Sequence, residues 1–203
     1  MVKAIIFDIG GVLIRTVDPA PRAQLEQRLG LKPGEAEYIV YNSDQGRRAQ
    51  LGAITAREQW AWVQRRLQLT DAGLEEFRTA FWAGDRVDHA LLDLIRSLRT
   101  SYQLAIISNA MDDLHDVVAR LDPAGDLFEV ITGSAYERVM KPDAIIFERT
   151  LARLGRAATE AVFIDDMPAN VAGARAIGLA AIHFRPGLDL AAELAQLGVR
   201  VGE

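Results

Sequence analysis

The chain has 203 residues, 50% of them hydrophobic and 25% charged, with a formal net charge of −5. That balance suits a globular chain with room for one good core and a smaller satellite, and the lack of any basic run or stripe argues against nucleic acid as a partner. With no cysteine, disulfides, thiolate metal sites and thiol nucleophiles are excluded, and no apolar stretch approaches the ~20 residues that a membrane span needs.

Residues 3–7 form an apolar run that is interrupted too soon for a signal peptide, so a cytoplasmic location is expected. The run is apolar on both faces, as in the buried strands of a parallel sheet. From 17 to 83 there is no strand pattern, only helical patterns rich in Ala, Leu, Glu, Gln and Arg. Within that segment Thr55 and Glu58 have the spacing of a capping box, and Thr70 and Asp71 open its last helix. Beyond it, strand runs at 103–107, 128–132 (the weakest), 162–164 and 180–184 alternate with helical spacing at 87–98, 111–121, 144–154 and 169–177. The alternation predicts a doubly wound, mainly parallel, Rossmann-like α/β sheet. Residues 1–16 and 84–203 would form this α/β core, and 17–83 an inserted helical unit.

In such a sheet ligands bind beyond the carboxyl ends of the strands. Those ends carry Asp8, then Ser108 and Asn109, then Asp165 and Asp166, while Lys141 and Pro142 start a helix upstream of the 162–164 strand. Three carboxylates, a hydroxyl and a lysine are thus expected in one crevice. Oxygen-only ligands make a Mg²⁺ site rather than a zinc site. The lysine and helix-terminal amides would hold an anion beside it. His89, His115 and His183 lack metal-ligand spacing and are expected to be structural or on the surface. Trp60, Trp62 and Trp82 are expected to pack within the insertion, and Arg47 and Arg48 to form a solvated face.

Four segments carry a family resemblance: Phe7-Asp8-Ile9-Gly10-Gly11-Val12-Leu13, Ile107-Ser108-Asn109, Lys141-Pro142-Asp143 and Ile164-Asp165-Asp166-Met167-Pro168-Ala169-Asn170. In order and spacing they resemble the four motifs of the haloacid dehalogenase-like hydrolase superfamily, and together they take in essentially the whole chain. The resemblance implies that 17–83 is that superfamily's small α-helical cap. It further implies a small phosphatase, similar to sugar-phosphate phosphatases and to the phosphatase domain of soluble epoxide hydrolase. Asp8 would then be the nucleophile that forms an aspartyl-phosphate. Asp8, Asp166 and the backbone carbonyl of Gly10 would bind Mg²⁺, whose charge offsets repulsion between Asp8 and the phosphate dianion. Asp165 would be either a further metal ligand, through water, or the partner that orients Lys141. Ser108, Asn109 and Lys141 would hold phosphoryl oxygens, and Asn170 would hydrogen-bond behind the metal ligands. The expected partner is a small phosphorylated metabolite, with neither nucleic acid nor membrane, and the expected assembly is a monomer or a homodimer.

Gly10 departs from the pattern. Most phosphatases of the superfamily carry a second aspartate there, which protonates the leaving oxygen and then activates water, help worth ~10²–10⁴-fold. Asp18 or Asp44 from the insertion, a metal-bound water, or a leaving group that needs little protonation would have to compensate. The similar sugar-phosphate phosphatases also carry glycine at this position. Two other readings are a 2-haloacid dehalogenase, which uses no metal and would leave Asp165 and Asp166 without a task, and a catalytically weak ligand-binding or regulatory protein.

Overall fold

The computed structural model describes residues 1–200. Its strands are Ala4–Phe7 (β1), Ile14–Thr16 (β2), Asp85–Val87 (β3), Gln103–Ser108 (β4), Val130–Gly133 (β5), Ala161–Asp165 (β6) and Ala180–His183 (β7). Its helices are Ala20–Arg28 (α1), Glu35–Glu37 (α2), Asp44–Gln50 (α3), Ala56–Arg66 (α4), Asp71–Trp82 (α5), His89–Leu98 (α6), Leu114–Leu121 (α7), Ser134–Glu137 (α8), Ala144–Leu154 (α9), Pro168–Ala176 (α10) and Leu190–Gln196 (α11). Tyr38–Asn42 forms a π-helical turn between α2 and α3.

Every residue of β1 is buried, and a strand without a polar face belongs inside a sheet. It is the middle strand of five, in the order β5-β4-β1-β6-β7, and all the pairs are parallel. Alternate side chains serve opposite faces. Ile5, Phe7, Leu104, Ile106, Val162 and Ile164 join α6, α7 and α11 on one side. Ala4, Ile6, Ala105, Ile107, Ala161 and Phe163 join α9 and α10 on the other. Helices on both faces make the sheet doubly wound, as the alternating pattern predicts.

Helices α1–α5 lie between β2 and β3 in the chain and gather a hydrophobic cluster of their own, including Leu25, Val40, Trp60, Val63, Phe77 and Phe81. The capping box forms as its spacing predicts: Glu58 N–H donates to Thr55 Oγ1 (3.1 Å), and Thr55 N–H donates to Glu58 Oε2 (2.8 Å).

Three local expectations are corrected. The antiparallel pair β2–β3 was not foreseen, because three residues per strand are too few to show a period. Long-range bonds hold it, among them Thr16 Oγ1 to Asp85 Oδ1 (2.6 Å) and the Arg15–Asp88 ion pair. Helix α9 begins at Ala144 rather than at Pro142. Asp143 takes the N-cap through a bond from Ile145 N–H (2.9 Å), which leaves Lys141 and its cis-linked Pro142 outside the helix. Helix α7 starts at Leu114 rather than at 111. Met111 is buried in the cluster of the helical insertion, and Asp112 Oδ1 accepts from Ala56 N–H at the start of α4 (2.7 Å). No helix among the described residues is long and apolar enough to cross a membrane.

Candidate active site

Parallel register brings the functional residues together. Phe7 lies opposite Ile106 on β4 and Ile164 on β6, so Asp8, Ser108 and Asp165 emerge at one edge of the sheet. Asp8 N–H continues the ladder to Ile164 O (2.9 Å). Carboxylate oxygens of Asp8, Asp165 and Asp166 lie within 4.8 Å of one another. Lys141, 4% exposed, stands between two of them. Its Nζ donates to Asp8 Oδ1 (2.8 Å), Asp165 Oδ2 (2.7 Å) and Ile107 O (3.0 Å), which engages all three ammonium protons. A buried ammonium is tolerable only with such partners.

The neighbours lock this arrangement. Asn109, expected on a phosphoryl oxygen, has its side chain occupied: Nδ2 donates to Lys141 O (3.0 Å) and Oδ1 accepts from Lys141 N–H (2.8 Å). Asp165 is fully buried. It accepts from Met167 N–H (2.7 Å) and, through both oxygens, from Asn170 Nδ2 (3.0 and 3.1 Å), besides Lys141. Of the two roles left open for Asp165, this geometry favours orienting Lys141. The Asp166 carboxylate and the Ser108 hydroxyl have no protein hydrogen-bond partner among the described residues. They are the groups left free for a ligand.

Electrostatics point the same way. Burial pushes the Asp8 carboxyl up to about 7; Lys141 pulls against that, and the Asp165 carboxylate adds to the rise. The Asp166 carboxyl is also raised, by burial first and by Asp165 next. Three acids face one ammonium, so the cluster carries two uncompensated negative charges when ionised. A divalent cation with a preference for oxygen would neutralise them, and the donor set therefore fits Mg²⁺.

The two adjacent glycines differ. Gly11 has φ +75°, and a Cβ there would stand 2.1 Å from Asp166 Oδ2, so only glycine leaves that carboxylate room. Gly10 has no atom within 4 Å of a would-be Cβ and no positive φ. A Cβ is sterically admissible there.

Asp18 Oδ1 accepts from Ala20 N–H ahead of α1 (2.9 Å), and Asp44 opens α3; both are exposed. Arg47 and Arg48 are exposed on α3, and His89 on α6. His115 stacks on Tyr136 at 5.0 Å. Trp60 packs inside the helical cluster, whereas Trp82 is 41% exposed. His183 does more than fill a strand: its Nε2 bonds the backbone oxygen of Asp166 (2.9 Å) and braces the acidic turn. Gly52 meets the sheet domain closely, since a Cβ there would stand 2.1 Å from Ala135 O. Neither contact leaves a local sequence signal.

The haloacid dehalogenase-like hydrolase profile matches residues 2–178. A sesquiterpene phosphatase of Aspergillus oryzae is 28% identical over 198 residues, 96% of each chain. A D-ribitol-5-phosphate phosphatase of Bacteroides thetaiotaomicron is 26% identical, over 96% of this chain and 97% of its own. The fold also resembles that of a haloacid dehalogenase family enzyme from Bacteroides thetaiotaomicron solved with magnesium and inorganic phosphate. The TM-score is 0.79 at 22% identity, covering 95% of this chain and 99% of that one. With a matching profile over most of its length and the acidic cluster at its strand ends, the chain belongs to the haloacid dehalogenase-like hydrolase family.

Proposed function

We propose that the protein is a Mg²⁺-dependent phosphatase that hydrolyses a small phosphorylated metabolite through an aspartyl-phosphate on Asp8. The observation that carries this reading is the convergence of Asp8, Asp165 and Asp166 around Lys141. The phosphatase activities named for the relatives, and the magnesium and phosphate held by the structural neighbour, support it. Residues 1–16 and 84–203 act as the catalytic core, and 17–83 as a helical cap over it.

Asp8, Asp166 and the Gly10 carbonyl would hold the ion, which, when bound, supplies positive charge against the repulsion between Asp8 and a phosphate dianion. Lys141 keeps Asp8 in one rotamer, aimed at the crevice. A carboxylate oxygen of Asp8 attacks phosphorus, the bond from phosphorus to the organic oxygen breaks, and that oxygen takes a proton from solvent. Ser108 donates its hydroxyl hydrogen to a phosphoryl oxygen. Water then attacks the phosphorus of the aspartyl-phosphate, releasing inorganic phosphate and restoring Asp8. Asp165 and Asn170 keep Lys141 in place throughout.

Removal of the metal with EDTA tests the reading. Hydrolysis of phosphate esters should stop and should return on addition of Mg²⁺. Hydrolysis that survives EDTA would remove the acidic cluster from the mechanism, and release of halide from a 2-haloacid under those conditions would make the protein a dehalogenase.

A further inference from the structure

The helical insertion leaves and rejoins the sheet domain at one place. Val17 N–H and Asp18 N–H both donate to Gly84 O (3.0 and 3.2 Å), and Thr16 is bonded to Asp85 beside them. Two chain segments held side by side act as a single hinge, and a single hinge leaves the orientation of what it carries open. Contacts elsewhere must fix it.

Those contacts fall on the loop that leaves β4 and on α8. Met111, from the loop, is buried in the insertion's own hydrophobic cluster. Asp112 Oδ1 accepts from Ala56 N–H (2.7 Å). Among the described residues this is the one hydrogen bond that joins the insertion to the sheet domain away from the hinge. Gly52, with its left-handed backbone at φ +65°, lies against Ala135 of α8 with no room for a Cβ.

The same loop holds the acidic crevice. Ser108 ends β4. Asn109 bonds the Lys141 main chain in both directions. Ala110 N–H donates to Ser134 Oγ (3.0 Å), and that hydroxyl donates back to Ala110 O (3.1 Å). Tyr136 Oη donates to Asp112 O (3.0 Å). No residue from 108 to 112 is left slack between the crevice and the insertion. Ser134 and Ala135 are neighbours on α8, so the tie at Ala110 answers to the same docking. A contiguous run of bonded and packed groups is the kind of connection that carries a displacement from one end to the other.

On the phosphatase reading above, we infer that Asp112 is a positioning residue whose bond to α4 couples the docking of the insertion to the placement of Ser108 and Lys141. Asp112 acts through the loop and not on the substrate. It governs the groups that meet the phosphoryl oxygens, whatever organic group the phosphate carries.

Amide hydrogen exchange followed by NMR, together with kinetics on p-nitrophenyl phosphate and ribitol 5-phosphate, tests this. Asp112 is exposed, so Asp112→Ala opens no cavity. It should speed exchange of the Lys141 N–H by about tenfold, the effect of losing one hydrogen bond's support. With Mg²⁺ present it should lower kcat by about fivefold to tenfold, equally for both esters, with KM within about twofold of wild type. Asp112→Asn keeps an oxygen acceptor for Ala56 N–H and should restore both readouts. Thr55→Ala weakens the same end of α4 without touching the loop and should move neither. Unchanged Lys141 exchange in Asp112→Ala, or equal losses in Thr55→Ala, would overturn the inference. So would a rise in KM for ribitol 5-phosphate alone, which would make Asp112 a residue that places the insertion against the organic group. Each of these results leaves the phosphatase reading intact. No wild-type hydrolysis of either ester would overturn that reading, and the exchange data would still decide the coupling.

Discussion

The acidic crevice at the strand ends and the helical insertion use polar groups in opposite ways. At the strand ends, Lys141, Asp165, Asn109 and Asn170 bond to one another, and among the described residues the Ser108 hydroxyl and the Asp166 carboxylate have no protein hydrogen-bond partner. In the insertion, polar side chains serve the backbone: Thr55 caps α4, Asp112 reaches across to α4, and Gln50, Gln59 and Ser43 hold the π-turn. Aliphatic and aromatic side chains together fill its core. The polar cage fixes charged groups at set distances, while the insertion's polar groups mainly hold its own backbone around an apolar core.

The strongest way to break the comparison is to change the cage at its centre. Asp8→Asn keeps the shape and removes the proposed nucleophile, so turnover should fall by about 10⁴-fold or more in steady-state phosphate release, with the thermal midpoint within a few degrees of wild type. Retained turnover would move the nucleophile elsewhere. Gly10→Asp should act in the other direction. A Cβ at this position meets no atom within 4 Å, and a restored general acid should speed hydrolysis of an alkyl phosphate by about tenfold to 10²-fold, at the lower end of what such groups supply. No gain would mean that proton delivery does not limit the enzyme. His183→Ala leaves every proposed metal ligand present but frees the turn that carries Asp166, and on the proposed function Mg²⁺ affinity by calorimetry should weaken about tenfold. Equal affinity would reduce His183 to a packing residue. Thr55→Ala, in the insertion, should cost only about 1 kcal/mol, read as a fall of about 2–4 °C in the melting midpoint, with kcat unaltered. A fall in kcat would tie the insertion to the chemistry more closely than the comparison allows.

Much of the fold was legible because its signals are local. Residues 4–7 and 161–165 are apolar on both faces, and α9 is bounded by the Asp143 cap and by Gly155 with its left-handed backbone. The gathering of Asp8, Ser108, Asp165 and Asp166 at one edge follows from parallel register once the strands are known, whereas Lys141, on no strand, is held there by Asn109. What each side chain bonds to was not legible. Asn109 and Lys141 are 32 residues apart, and His183 reaches back 17 to Asp166. Strands β2 and β3 exist only as a pair joined across the whole insertion. Tyr41 looked like one more residue of a helical stretch, because a π-turn differs from an α-helix by one register step and leaves the apolar pattern almost unchanged.

The clamp of Asn109 on the Lys141 backbone has a consequence for affinity. A free lysine gives up about 2 kcal/mol of rotamer entropy when it is held in one conformation. Here that loss is incurred during folding, when Asn109 fixes the main chain and Asp8, Asp165 and Ile107 fix the ammonium. On the proposed function, a substrate that reaches the crevice meets Asp8 already held by a fixed ammonium, and none of its binding free energy goes into immobilising Lys141.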